Sequence, residues 1–139
     1  MKNPMRNIAA LVSGIVIGSI VNYTFIIAGG FMIEPPASVD MSDAQSIAAG
    51  MEYFTPVHFL FPFLGHALGT LVGALVTCSM ASDHKVLFTL FIGVIFLAGG
   101  IAATIMIPAP IWFVLCDLLI AYLPMAWLAF RLRRPNLVS

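Results

Sequence analysis

Between Arg6 and Glu34 the chain carries no charged side chain, and Ile8 to Met32 is almost entirely apolar. About 20 such residues, coiled as a helix, cross a hydrocarbon layer of roughly 30 Å. Inside lipid each backbone N–H and C=O has to find its partner within the protein, which confines such a stretch to a helix. Pro56 to Met80, Val86 to Ile107 and Ile111 to Phe130 repeat the pattern. Pro108-Ala109-Pro110 separates the last two, because proline cannot continue a helical ladder. The expected architecture is one all-α integral membrane domain over residues 1–139. Its spans fall at about 8–32, 56–80, 86–107 and 111–130, in an up-down four-helix transmembrane bundle with an outer loop at 33–55.

Composition agrees with that reading. The chain is 61% hydrophobic and 9% charged, with a mean hydropathy of +1.06. Soluble domains average about 45–50% apolar and about 25% charged residues. A water-soluble globular domain, a disordered chain and a nucleic-acid binder are all excluded. Six acidic residues balance six basic ones, so net charge selects no partner.

The position of the cations sets the expected orientation. Lys2, Arg6, Lys85, Arg131, Arg133 and Arg134 are the complete set, and an even number of spans places them on one side. That side is expected to be the cytoplasm, with both termini in it, at a bacterial inner membrane. The other side receives Glu34, Asp40, Asp43 and Glu52. The apolar run after Arg6 is too long for a signal peptide and lacks an A-x-A-like cleavage site, so the first helix is expected to be retained. Cys78 and Cys116 fall at different depths and are expected to stay unpaired.

In the outer loop, Ser42-Asp43-Ala44-Gln45 reads as a capping box with Ser42 as its N-cap. Ala44, Ile47, Ala48 and Met51 follow at helical spacing, and Gly50 is placed to end the turn. A short amphipathic helix on the outer surface is expected. At the inner turn, Ser82 or Asp83 is a candidate cap for span three.

Small residues predict how the spans meet. Helices in lipid associate where close backbone approach is possible. Gly65, Gly69 and Gly73 recur every fourth residue in span two, and Ala10, Gly14, Gly18 and Asn22 do so in span one. These two ridges are expected to face each other, the alternative being that the glycines join two protomers. Pro62 and Pro124 predict kinks that free the carbonyls of His58 and Ile120. Ala28-Gly29-Gly30 and Ala98-Gly99-Gly100 hint at a duplicated hairpin, but shared membrane composition accounts for the match.

Ionisable residues inside spans are costly and face the bundle interior or a water-filled cavity. Asn22, His66 and Asp117 each fall in the outer half of their helix, His66 about 15 Å and Asp117 roughly 10 Å from its end. They are expected to form an intramembrane hydrogen-bonded cluster, extended by Tyr23, Thr24, Thr70 or Tyr122. His58 and Glu52, above His66, form a candidate outer entrance. No ionisable residue continues the line into the inner half.

No phosphate loop, CxxC or HExxH pattern is present, and the His, Asp and Glu spacing matches no local metal motif. No catalytic residue, metal or cofactor is nominated, and the expected partners are the lipid bilayer and a second copy or another membrane protein. In size and span number the chain resembles small multidrug transporters and dual-topology fluoride channels. Span one lacks the acid of the former, and the one-sided cations depart from the latter. Two readings stay open: a bundle-forming or accessory protein, and a small proton- or cation-coupled transporter or channel subunit using Asp117 and His66.

Overall fold

The computed structural model describes residues 3–133, so Lys2 and Arg134 of the cation set lie outside the described residues. These fold into helices α1 (Pro4–Met32), α2 (Ala44–Ala49), α3 (Leu60–Met80), α4 (Lys85–Met106), α5 (Ile111–Ile120) and α6 (Leu123–Arg133). Single 3₁₀ turns at Met51–Tyr53 and Pro56–Phe59 link α2 to α3, and no strand occurs among the described residues. Four helical stretches are long and apolar enough to cross a membrane: Pro4–Met32, Pro56–Met80, Lys85–Met106 and Ile111–Arg133. Their most apolar windows are only 17% to 39% buried. The remaining surface carries Val12, Val16, Ile20, Phe31, Ile105 and Leu119, an exterior suited to lipid.

Helix α3 is the axis of the fold. One face lies against α1, where the glycine order runs in opposite directions: Gly14 opposes Gly73, Gly18 opposes Gly69, and Asn22 opposes Gly65 and Gly69. A Cβ added at Gly18 would lie 2.6 Å from the carbonyl oxygen of Gly69, so this seam admits no larger residue without movement. Thr77 seals it, donating to the carbonyl of Ala10 at 3.1 Å. On the other face Ala74, Ile92, Ala126 and Ala129 form a fully buried cluster joining α3, α4 and α6. Ala67, Ala121 and Tyr122 form a second, beside the turn between α5 and α6.

The prolines act differently from expectation. Pro62 is the third residue of α3, just after the 3₁₀ turn Pro56–Phe59. Its missing N–H falls in a first turn, so it helps to start the helix rather than bend its middle. At Pro124 the expected kink is a full break. Helix α5 stops at Ile120, Ala121 and Tyr122 form a turn, and Pro124 lies in the first turn of α6.

Two caps also differ. Asp43, not Ser42, is the N-cap of α2 and accepts from the N–H groups of Gln45 and Ser46. Ser42 instead donates its hydroxyl and backbone N–H to Asp40 at 2.6 and 2.9 Å. An aspartate two residues back competes for the serine, and the N-cap shifts along by one without a reciprocal box. Helix α4 starts after His84, at φ 45° in the left-handed region, with no side-chain cap from Ser82 or Asp83. Those two residues are engaged by Asn7, which is almost completely buried. Asn7 donates to Asp83 at 2.7 Å and accepts from the Ser82 backbone N–H at 2.8 Å, while Arg6 donates to the Met80 carbonyl at 2.7 Å. The start of α1 is thereby tied to the α3–α4 turn.

Candidate functional site

Neighbouring residues on a helix point about 100° apart. On α3 this sends Gly65 toward α1 and His66 toward α5. The His66 Nδ1 lies 2.8 Å from Asp117 Oδ1 and 3.0 Å from Oδ2. Asp117 is 1% exposed, and the Tyr122 hydroxyl donates to its Oδ2 at 2.8 Å. Five residues of unbroken helix would place Asp117 and Tyr122 about 140° apart. The break at Ala121 and Tyr122 turns the phenol back, and its ring stacks on His66 with centroids 5.8 Å apart. A side chain at Gly100 would overlap the Tyr122 hydroxyl, which is why α4 carries a glycine opposite it.

Asn22 does not join this group by hydrogen bonding. Among the described residues its Oδ1 is buried without a partner, in the α1–α3 seam, 2.8 Å from the position a Cβ would take on Gly65. The other candidate extensions also bond elsewhere. Thr70 donates to the carbonyl of His66 and Thr24 to that of Ile20, while Tyr23 is exposed.

His58 lines the cavity over Asp117 and bonds to two backbone segments. Its Nδ1 accepts from the Thr55 backbone N–H at 3.0 Å, and Nε2 lies 3.1 Å from the carbonyl of Glu34. That pattern puts the ring proton on Nε2 and ties the end of α1 to the start of the second span. The 3₁₀ turn folds the ring back onto its own cap, and both nitrogens are occupied. Glu52 is exposed and does not line the cavity over Asp117.

Two cavities meet at His66. One, of about 300 Å³, lies under the segment that joins α1 to α3, with Met41, Ile47, Met51 and Phe54 above and His66 and Asp117 within its wall. The other, of about 430 Å³, runs between α1 and α4, lined by Ser19, Asn22, Ile26, Phe96 and Gly99, with His66 and Tyr122 inside. Toward the end of the bundle that holds Asn7, one fully buried cluster contains Ala74, Ile92, Ala126 and Ala129. His66 therefore lines both cavities while its Nδ1 lies against Asp117. Among the described residues no group of three or more His, Cys, Asp or Glu side chains is placed to hold a metal.

Of the four expected extensions Tyr122 alone bonds to Asp117, brought round by the turn at Ala121 and Tyr122. The sequence pattern did not single out Asn7. Asn7 continues the Ala10-Gly14-Gly18 ridge one step toward the N-terminus, and that spacing marks it as interior. No family model matches the chain, and neither a curated protein nor a solved structure is significantly similar to it.

Proposed function

We propose that this chain is a small four-span integral membrane protein that works as a proton- or cation-coupled transporter or channel subunit, with the His66–Asp117–Tyr122 group as its binding site. The carrying observation is that His66 stands between a buried carboxylate and two cavities. With the ring neutral and the carboxylate ionised the group has one negative charge, and one added proton or cation neutralises it. A charge buried at such depth favours uptake of that kind. The up-down arrangement, with Arg6, Lys85, Arg131 and Arg133 on the cytoplasmic side of a bacterial inner membrane, makes the cavity over Asp117 face outward. His58 closes its rim, and Glu52 lies outside it.

A second reading has its own support in the buried packing of Ala74, Ile92, Ala126 and Ala129, which joins α3, α4 and α6. On that reading the site only fastens α5 and α6 to α3, and the protein is a bundle-forming or accessory partner of another membrane protein or of a second copy. Proteoliposomes holding a pH-sensitive dye separate the two. Coupled transport predicts proton movement by the wild-type protein that Asp117→Asn abolishes, with the melting temperature in detergent nearly kept. A wild-type protein that moves no protons or cations, together with an Asp117→Asn variant that melts earlier, favours the second reading.

A further inference from the structure

We infer that the slot between α1 and α4 binds an uncharged lipid with a hydroxylated head, of the monoacylglycerol type, entering sideways from the bilayer. The inference goes beyond the proposed transport and does not rest on it, although both involve His66. Helices α1 and α4 meet only sparsely, since both lean on α3. The cavity of about 430 Å³ left between them falls within the range of about 300–1,000 Å³ usual for ligand pockets. On α1 it is lined at Ile15, Ser19, Asn22 and Ile26, which recur about one turn apart and extend about 16 Å along the axis. Ser19, Ile26, Gly99 and Ala103 are exposed, so the slot is open along its side. A Cβ built on Gly99 would meet nothing within 4 Å. A trough of this length, open toward hydrocarbon, suits an extended acyl chain.

Three polar groups meet the slot. The carboxylate of Asp117 only accepts, so the ring nitrogen it holds, Nδ1, carries the proton and Nε2 is left as an acceptor. Asp117 lines the other cavity and not this one, so the ring presents to the slot the edge away from Nδ1. Asn22 turns its Oδ1 into the α1–α3 seam, where that oxygen is buried. Neither His66 Nε2 nor Asn22 Nδ2 has a hydrogen-bond partner among the described residues, and neither is sealed off as that oxygen is. Since Asn22 lines the slot, its amide donor opens onto it. Ser19, one turn away on the same face, adds an exposed hydroxyl that donates or accepts.

One acceptor, one donor and one group of either kind select the head. Hydroxyls satisfy all three, because each O–H both donates and accepts. An ammonium has no lone pair for the amide of Asn22, and a carboxylate has no proton for the imidazole of His66. A bare hydrocarbon leaves both groups without a partner, and the bilayer core holds no water to replace it. The acyl chain then lies along the α1 wall, beside Gly99 and Ala103 on α4.

A monoacylglycerol with a photoreactive diazirine in its chain, added to the protein in nanodiscs, irradiated and mapped by peptide mass spectrometry, tests the proposal. Saturable labelling on the slot-lining stretches of α1 and α4 is expected. Unlabelled monooleoylglycerol is expected to compete about tenfold better than its dimethyl ether, which accepts but cannot donate. Oleate and oleylamine are expected to compete no better than the ether. Gly99→Phe, which narrows the slot, is expected to lower labelling by about tenfold, and a melting curve like that of the wild type shows that it folds. The competition series uses the wild-type protein and needs no variant. Labelling that does not saturate, an ether, oleate or oleylamine that competes as well as monooleoylglycerol, or a folded Gly99→Phe labelled normally overturns the proposal. Any of these results beside proton movement in the dye assay leaves the proposed transport standing. A wild-type protein that moves no protons or cations overturns the transport and leaves the lipid site to be judged by its own labelling.

Discussion

Asp117 has its two oxygens covered by an imidazole and a phenol, and those partners differ in what their loss exposes. Tyr122→Phe keeps the ring beside Gly100 and removes one hydrogen bond to a buried carboxylate, at a cost of about 1–3 kcal/mol. The expected outcome is a lower melting temperature in detergent, and an unchanged one contradicts the assigned bond. In the segment before α2, the hydroxyl of Ser42, followed by its backbone N–H, holds the Asp40 carboxyl below the ordinary aspartate value. The fold thus favours the ionised form. Its contribution is present above the unfolded-chain value and is lost as pH falls through the lowered one. Ser42→Ala is expected to move the Asp40 titration, followed by its carboxylate resonance, upward. At this scale residue type and depth singled out His66 and Asp117, because so few polar groups interrupt the spans. The Asn22 bond did not follow, since equal depth says nothing about which face of a helix a side chain takes. Gly65 and His66 are adjacent, yet they serve different neighbours.

Among the elements, the α1–α3 seam and the α1–α4 slot make opposite demands on glycine. Gly18→Ala places a methyl 2.6 Å from the Gly69 carbonyl, and overpacking of this kind costs about 1–3 kcal/mol. Gly99→Ala meets open space and gains helix propensity of up to about 1 kcal/mol. Thermal unfolding of the two variants in one detergent is expected to fall for the first and to hold or rise for the second. A reversed order contradicts the seam. The helices themselves were legible from charge-free length. The seam followed from four-residue spacing, which is a property of one helix face. The break before Tyr122 was legible only as a kink, because Pro124 marks the lost hydrogen bond while the chain around it decides how far the helix yields. The cap of α2 moved from Ser42 to Asp43 because Asp40 competes for the serine, a contact across a turn that linear spacing does not reveal.

Taken whole, the molecule is lopsided along its axis. One end is held by Asn7, Ser82 and Asp83 and filled by alanine and isoleucine, and the other contains two cavities around His66. Asn7→Ala removes a buried donor–acceptor hub and is expected to cost about 1–3 kcal/mol, read as a drop in melting temperature without change at His66. The account as a whole depends on the contact that holds the His66 ring nitrogen Nδ1 on the Asp117 carboxylate. Nitrogen-15 NMR of the His66 ring in nanodiscs measures this directly. The account predicts an Nδ1 resonance that moves in Asp117→Asn. Ring resonances identical in the wild type and Asp117→Asn contradict it.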